Sequence, residues 1–341
     1  MSVAGSALRI ALFALLACAI PLTAQYPPAW TKPFPPFRIA GNLYYVGSED
    51  LASYLIATPQ GLILINSSLE VSVPLIQNSV ESLGFRFGDI KILLISHAHN
   101  DHCAGSAHII QLTGAKYYVM DADVPVVESG GKADFQYGAK IPMRYPPAHV
   151  DRILHDGDTV RLGGTVLTAH LTAGHTKGTT TWTMDENEGG RVLRVVIVGS
   201  PNVNEGYKLV GNKAYPQIAA DYKRGFALLK RLPCDIFLGA HGGYYGLTAK
   251  YDRWKAGDLN AFIDPDGYKA YIIDREQAFK AELERQATAK KQITRRSASP
   301  PPPSPEPSSL RAAGTLCCAT TPPSTVPPRF SAIQTSPRRI Q

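Results

Sequence analysis

Residues 91–105 read KILLISHAHNDHCAG, and the rest of the chain is best understood from this stretch outward. An apolar run, Ile92 to Ile95, stops at Ser96 and gives way to His97, His99, Asp101 and His102, four coordinating side chains within six residues. In a loop leaving a strand, alternate side chains point to one side, so His97 and His99 can share one metal ion. Asp101 and His102, where the chain turns into a helix, are placed to reach a second. Imidazole and carboxylate are good zinc ligands, and zinc with one position left to water is the pattern of catalytic sites. A polar turn with solvated histidines would account for one His, but not for three His and an Asp at this spacing.

Two more histidines stand in matching settings. His175 lies in Thr172-Ala-Gly-His-Thr-Lys-Gly178 and His241 in Leu238-Gly-Ala-His-Gly-Gly243. Flanking glycines let the backbone approach a metal closely, and strand ends are where loops collect functional groups. The set is then six ligands, three per metal: His97, His99 and His175 for one, Asp101, His102 and His241 for the other. His108, His149, His155 and His170 lack such surroundings and are read as surface or core residues. Cys103 is read as a small buried residue.

Strands are expected at Arg38 to Val46 with a turn at Gly41-Asn42, at Ala52 to Thr58, Gly61 to Asn66, Ile92 to Ile95 and Lys116 to Met120. Helical spacing covers Leu69 to Leu83 and Ala104 to Leu112, and a further helix is capped by Asp121 and ended by Gly130-Gly131. A second block of strands begins at Val150: Val150 to Leu154, Thr159 to Leu162, Thr165 to Leu171, Thr180 to Met184 and Val192 to Val198. Helices at Pro216 to Leu232 and Arg275 to Gln286 flank a buried strand at Ile236 to Leu238. Two similar halves of strands and helices point to an α/β (α+β) fold of sheets packed face to face with helices outside.

The ends of the chain differ in character. Arg9 precedes the apolar run Ile10 to Ile20, which is too short for a membrane span and fits an exported signal peptide over residues 1–24, cleaved after Ala24. Leu15-Leu16-Ala17-Cys18 offers a lipoprotein alternative that would leave a lipidated Cys18 on a membrane. Residues 25–36 are proline-rich and read as an extended arm. Residues 291–341 hold 11 of the 27 prolines, cannot bury a core and are expected to be disordered. That tail carries seven basic residues against one acidic, so the formal charge of +7 belongs almost wholly to it and to Arg9. Residues 25–290, between signal and tail, are neutral, which argues against a nucleic-acid partner. Export implies an oxidising compartment, yet Cys103, Cys234, Cys317 and Cys318 form no disulfide framework that can be read.

The His97-x-His99-x-Asp101-His102 motif, the Ala173-Gly-His175-Thr loop and the Gly239-Ala-His241-Gly loop, in that order, resemble the metallo-β-lactamase superfamily over about residues 37–290. The resemblance implies a four-layer αβ/βα sandwich. Many hydrolases of that superfamily carry a bridging Asp after the strand that follows the His175 loop; here Val196-Ile-Val-Gly199 runs into Ser200, and no Cys ligand stands there. With His102 as a ligand, the pattern resembles the class B, subclass 3 β-lactamases, and so do His149 to Asp158, Lys208 to Asn212 and Leu232 to His241.

That resemblance implies two zinc ions, a β-lactam as small-molecule substrate, a monomer, and action in the periplasm or outside the cell. It also implies that Asp101 orients the attacking hydroxide and that Ser200 and Asn202 hold the substrate carboxylate. The arm before Phe37 and the loop Ser129 to Tyr145 are expected to wall the cleft. Another hydrolase of this fold, a lactonase or a thioesterase, is the alternative, and a non-catalytic binding module is a more distant one. Some relatives pair the cysteine at Cys234 with one near the start of the last helix, where Asp266-Gly267-Tyr268 stands, so that disulfide is expected to be missing. Asn66 takes a strand-end position that is often Asp in the superfamily.

Overall fold

Which face each apolar side chain takes decides the layering. In the computed structural model, residues 26–298 are described, with side chains to residue 292. The expected signal peptide and most of the expected tail lie outside the described residues. One sheet contains seven strands in sequential order: β1 (Phe37–Ala40), β2 (Leu43–Tyr45), β3 (Tyr54–Thr58), β4 (Gly61–Ile65), β5 (Ile90–Leu94), β6 (Lys116–Met120) and β7 (Arg152–Leu154). Strands β1 to β4 pair antiparallel, and β4 to β7 pair parallel. The other sheet has β8 (Thr159–Leu162), β9 (Thr165–Leu171), β10 (Thr180–Glu188), β11 (Arg191–Val198) and β12 (Ile236–Gly239), in the order β12-β11-β10-β9-β8. Only β11 and β12 pair parallel there.

Period-two alternation makes the first sheet two-faced. Ile63 and Ile65 of β4, with Tyr54 and Ile56 of β3, join the core between the sheets, where Trp182, Ala169 and Val195 meet them. Leu62 and Leu64 turn the other way, onto helices α1 (Val73–Ser82), α3 (Ser106–Thr113) and α4 (Val124–Glu128); a one-turn helix, α2 (Asn100–Cys103), precedes α3. Outside the second sheet, Tyr222 and Phe226 of α5 (Ile218–Leu229) stack with Phe279 of α8 (Pro265–Ala298). Two further helices, α6 (Gly242–Tyr245) and α7 (Leu247–Lys255), follow β12. The fold is a four-layer αβ/βα sandwich.

Several elements depart from the sequence reading. The strand at Arg152–Leu154 was expected to open the second block but pairs parallel with β6 and closes the first sheet. α6 and α7 were not anticipated, because Gly242-Gly243 looks like a loop and α7 is polar, with only Leu247 and Lys250 buried. The last helix runs from Pro265 to Ala298, past the boundary expected at residue 290. β10 and β11 also extend beyond the expected strands, closing through Gly189 and Gly190, both at positive φ (59° and 81°) as a two-residue hairpin turn of the primed type requires.

Close to the turn of that hairpin a carboxylate is trapped. Glu186 on β10 is 4% exposed; its Oε2 accepts the Asn42 N–H at 3.2 Å and its Oε1 has no hydrogen-bond partner. Burial, and then the neighbouring Glu188, outweigh Arg38 and the Asn42 N–H and push its carboxyl up to about 7. A carboxyl whose folded pKa lies above its unfolded value stabilises the fold most below the unfolded value and loses that contribution as pH rises through the folded one. The melting temperature of the wild type should therefore fall relative to Glu186→Gln as pH is raised from 5 to 8. Parallel melting curves across that range would show that Glu186 does not titrate there.

Candidate metal centre

The first histidine loop is held from both halves of the sandwich. β5 ends at Leu94, and the next two residues have their backbone fixed by distant groups: Trp182 Nε1–H donates to the Ile95 carbonyl (3.1 Å) and Thr180 N–H to that of Ser96 (2.7 Å). Ser96 N–H in turn donates to Asn66 Oδ1 (2.7 Å), and Asn66 Nδ2 donates to the Ala52 carbonyl (3.0 Å). The second of these needs an N–H donor, which an amide has and an ionised carboxylate lacks. Asn66 also sits at φ 67°, a left-handed conformation that Asn tolerates better than most residues. From there His97 and His99 project in alternation, and His99, in extended conformation, caps α2, which carries Asp101 and His102.

His175 comes from the β9–β10 turn and His241 from the end of β12. All six expected ligands meet. His99 Nδ1 lies 3.1 Å from His175 Nε2, and His97, His99 and His175 have ligand atoms within 4.8 Å of one another. Asp101 Oδ2, His102 Nε2 and His241 Nε2 form a triangle with edges of 3.1, 3.2 and 3.4 Å. A tetrahedral zinc with ligands at about 2.0–2.1 Å would space them by about 3.3 Å. His97 also lies within 4.8 Å of Asp101 and His102, so it stands at the junction of the two groups. Both nitrogens of His97, Nε2 of His99 and Nδ1 of His102 are buried without hydrogen-bond partners. Such unpaired lone pairs and N–H groups are costly in a protein interior, and metal coordination is what this donor set fits.

Around the ligands lies a shell of groups that the sequence reading did not find. Asp50 Oδ2 accepts His241 Nδ1–H at 2.9 Å, which leaves Nε2 to face the triangle. The Asn202 carbonyl accepts His175 Nδ1–H at 2.8 Å, and the Asp134 carboxylate stands 3.6 Å from His99 Nε2. Asp123 ties two ligand loops together: it accepts the Ala98 N–H (2.9 Å), the Thr176 hydroxyl (2.7 Å) and the Gly178 N–H (2.9 Å). A Cβ at position 178 would fall 2.6 Å from the Asp123 carboxyl carbon, so this approach needs glycine. Carboxylates and carbonyls that fix the tautomer of a ligating imidazole are a regular part of metal sites. In the sequence Asp50, Asp123 and Asp134 are isolated acids with no spacing relation to the histidines.

Electrostatics divide the ligands. Burial, and then the imidazoles around it, hold His97 well below the usual histidine range; burial and His99 bring His175 down to about 3. These two rings are neutral at physiological pH and carry the lone pair that a metal needs. Burial works against ionising Asp101, but His102 and His241 hold its carboxyl well below the ordinary carboxylate range. It stays an anion and an acceptor at any pH where the protein works. Cys103 is buried, its thiol directed at the His99 carbonyl and pushed up by burial, as expected for a packing residue.

A cavity of about 550 Å³ opens over the ligands. Tyr26 and Trp30 of the N-terminal arm and Asp134, Tyr137, Met143 and Tyr145 of the loop after α4 wall it. The arm is less extended than expected: residues Pro28–Trp30 form a single helical turn. Asn202 lines the cavity, although its Oδ1 is engaged by Arg275 Nη1 at 3.4 Å. Ser200 does not line it. Its hydroxyl is buried and shares a hydrogen bond with Tyr244, which does. Asn204, which was not singled out from the sequence, also reaches the cavity wall and donates to the Tyr137 hydroxyl at 3.0 Å.

Two three-ligand clusters side by side at one end of a double sheet define a dinuclear metal-site protein. A family model described as the metallo-beta-lactamase superfamily matches residues 51–193. Among solved structures, the FEZ-1 metallo-beta-lactamase from Legionella gormanii is 57% identical, covering 77% of this chain and 100% of its own, with a TM-score of 0.76. BJP-1, a subclass B3 metallo-beta-lactamase of Bradyrhizobium japonicum, is 37% identical over 76% of this chain and 98% of its own, with a TM-score of 0.72. The class B3 di-zinc metallo-beta-lactamase LRA-12 from an Alaskan soil metagenome is 36% identical, with coverage of 75% and 97% and a TM-score of 0.72. The chain belongs to the metallo-β-lactamase superfamily, and its solved relatives include enzymes of class B3.

The Asn66 clamp can be measured directly. Asn66→Ala removes both hydrogen bonds and leaves alanine at positive φ, and should lower stability in denaturant unfolding by about 2–4 kcal/mol. A loss below about 1 kcal/mol would mean that Trp182 and Thr180 hold the loop without it.

Proposed function

We propose that the chain is a zinc-dependent β-lactamase that hydrolyses the amide bond of the β-lactam ring with two zinc ions. The observation that carries this reading is the six-ligand constellation at the floor of the cavity, with edges of 3.1–3.4 Å in its second triangle, in a chain 57% identical to a metallo-β-lactamase over that protein's whole length. Bound zinc supplies Lewis acidity and brings the pKa of water toward neutrality. His97, His99 and His175 would hold one ion; Asp101, His102 and His241 would hold the other. Asp101 lines the cavity as a permanent anion, so it can accept a hydrogen bond from the attacking water and orient it. Asn202 and Asn204 stand on the wall where a substrate carboxylate or carbonyl would lie. The Ser200 hydroxyl connects to the cleft through its hydrogen bond with Tyr244. Tyr26, Trp30, Tyr137 and Tyr145 give the cleft apolar sides that limit water and orient the bicyclic substrate.

Export to the periplasm or beyond, as a monomer, is part of the same proposal; it rests on residues 1–24 and on the cleft being complete within one chain. Among the described residues no helix is long and apolar enough to cross a membrane.

The purified chain should hydrolyse imipenem, lose that activity to a chelator and regain it with zinc, with two zinc ions bound per chain. Two bound zincs with lactone turnover exceeding lactam turnover would reject the lactam substrate while keeping the site. Asp101→Asn should lower kcat/KM between about a hundredfold and ten-thousandfold, the usual loss when a positioned proton acceptor is neutralised. Unchanged kcat/KM would remove Asp101 from the mechanism.

A further inference from the structure

The first metal cluster is fastened through one backbone position. Ala98 lies between the ligands His97 and His99, and the peptide units on both of its sides are held from outside the loop. Its N–H donates to Asp123 Oδ2 at 2.9 Å, and its carbonyl accepts the Tyr145 O–H at 2.7 Å. The same Asp123 carboxylate takes the Thr176 hydroxyl and the Gly178 N–H, just past His175. Both holders are attached to one short helix. Asp123 directly precedes α4, and the chain beyond α4 folds back onto it: Gly131 N–H donates to the Val126 carbonyl (2.8 Å) and Ala148 N–H to that of Val127 (3.3 Å). Tyr145 N–H closes on the Gly130 carbonyl (3.2 Å), and a Cβ at Gly130, which has φ 64°, would fall 2.3 Å from the Tyr145 carbonyl oxygen. Val126 and Val127 are themselves buried in the core between the first sheet and its helices.

The second cluster is held by other groups. Asp50 orients His241, and α2, which carries Asp101 and His102, is anchored by Ser67 N–H on the His102 carbonyl (3.0 Å) and by Gly105 N–H on that of Ser68 (3.1 Å). Resting on the zinc reading above, we propose that Tyr145 and Asp123 are positioning residues for the first metal ion, acting through the Ala98 backbone and, for Asp123, also through the His175 loop. Where an imidazole reaches depends on the direction of its Cα–Cβ bond, which turns with the peptide planes on either side. Asp123 fixes the plane between His97 and Ala98, and Tyr145 the plane between Ala98 and His99. Tyr145 also walls the cavity, so one residue links the surface that meets substrate to the spacing of the first two imidazoles.

Zinc affinity of the full chain, measured by competition with a chromophoric chelator, tests this in two backgrounds: His241→Ala, which leaves the first cluster whole, and His175→Ala, which leaves the second. Loss of a group that orients a metal ligand weakens binding about 10- to 100-fold. Asp123→Asn, which turns an N–H toward at least one of three donors, should weaken zinc by that range in the His241→Ala background. Tyr145→Phe keeps the ring and removes one bond of the set, so a loss of about three- to tenfold is expected there. Both changes should leave zinc affinity in the His175→Ala background as it was. A general loosening of the fold lowers affinity in both backgrounds alike, so the ratio between them separates positioning from stability. Equal weakening in the two backgrounds would overturn the proposal, and so would undiminished affinity of Tyr145→Phe in the His241→Ala background. A wild-type chain that binds fewer than two zincs would refute the dinuclear reading, and the proposal with it.

Discussion

Six coordinating side chains held with their lone pairs facing one another form an arrangement that a folded chain does not adopt without compensation. The imidazole nitrogens of His99 and His175, and of His102 and His241, stand 3.1 and 3.2 Å apart, and both nitrogens of His97 have no partner at all. Desolvated polar atoms without partners oppose folding by roughly 1–3 kcal/mol each. The surrounding structure is arranged to withstand that opposition: the ligand loops are tied by side-chain hydrogen bonds to backbone groups that secondary structure alone would leave unpaired. An ion bound there relieves the strain, so metal binding and folding are thermodynamically linked.

The ligands are also divided between the halves of the molecule. His97, His99, Asp101 and His102 follow β5 of the first sheet, while His175 and His241 come from the second. The Trp182 indole, buried in the core between the sheets, reaches across to the Ile95 carbonyl two residues before His97. Packing of the sheets and assembly of the site are thus one event. A cavity in the shared core would move the ligands relative to one another, since close-packed interiors transmit displacement.

Much of this was legible from residue order. The two-faced strands β3 and β4 announce themselves by alternation, and His97 to His102 by density, because both are local properties of the chain. The outer shell was not, for the opposite reason. Asp50 is 191 residues from the imidazole it orients, and Asp123 is 53 from Thr176, so nothing in their own neighbourhoods distinguishes them from solvated acids. Asn202 was singled out for its side chain, whereas it is its carbonyl that orients His175. Ser200 failed to reach the cavity because its hydroxyl is taken up by Tyr244, a partner 44 residues away. The edge strand β7 was assigned to the wrong half because a short β-branched run carries no mark of the sheet it will join.

Cys234 and Tyr268 bear on how the protein reaches this state. Cys234 is buried and unpaired, its thiol pushed up to about 12 by burial and the neighbouring Asp235, and Tyr268 beside it is buried with its hydroxyl on the Leu229 carbonyl at 2.6 Å. Where a covalent bridge would tie β12 to the start of α8, an aromatic ring and one hydrogen bond fill the space. Among the described residues Cys103 and Cys234 are both free, so the described domain holds together without a disulfide. A buried, protonated thiol is a poor substrate for disulfide exchange whatever the redox potential around it.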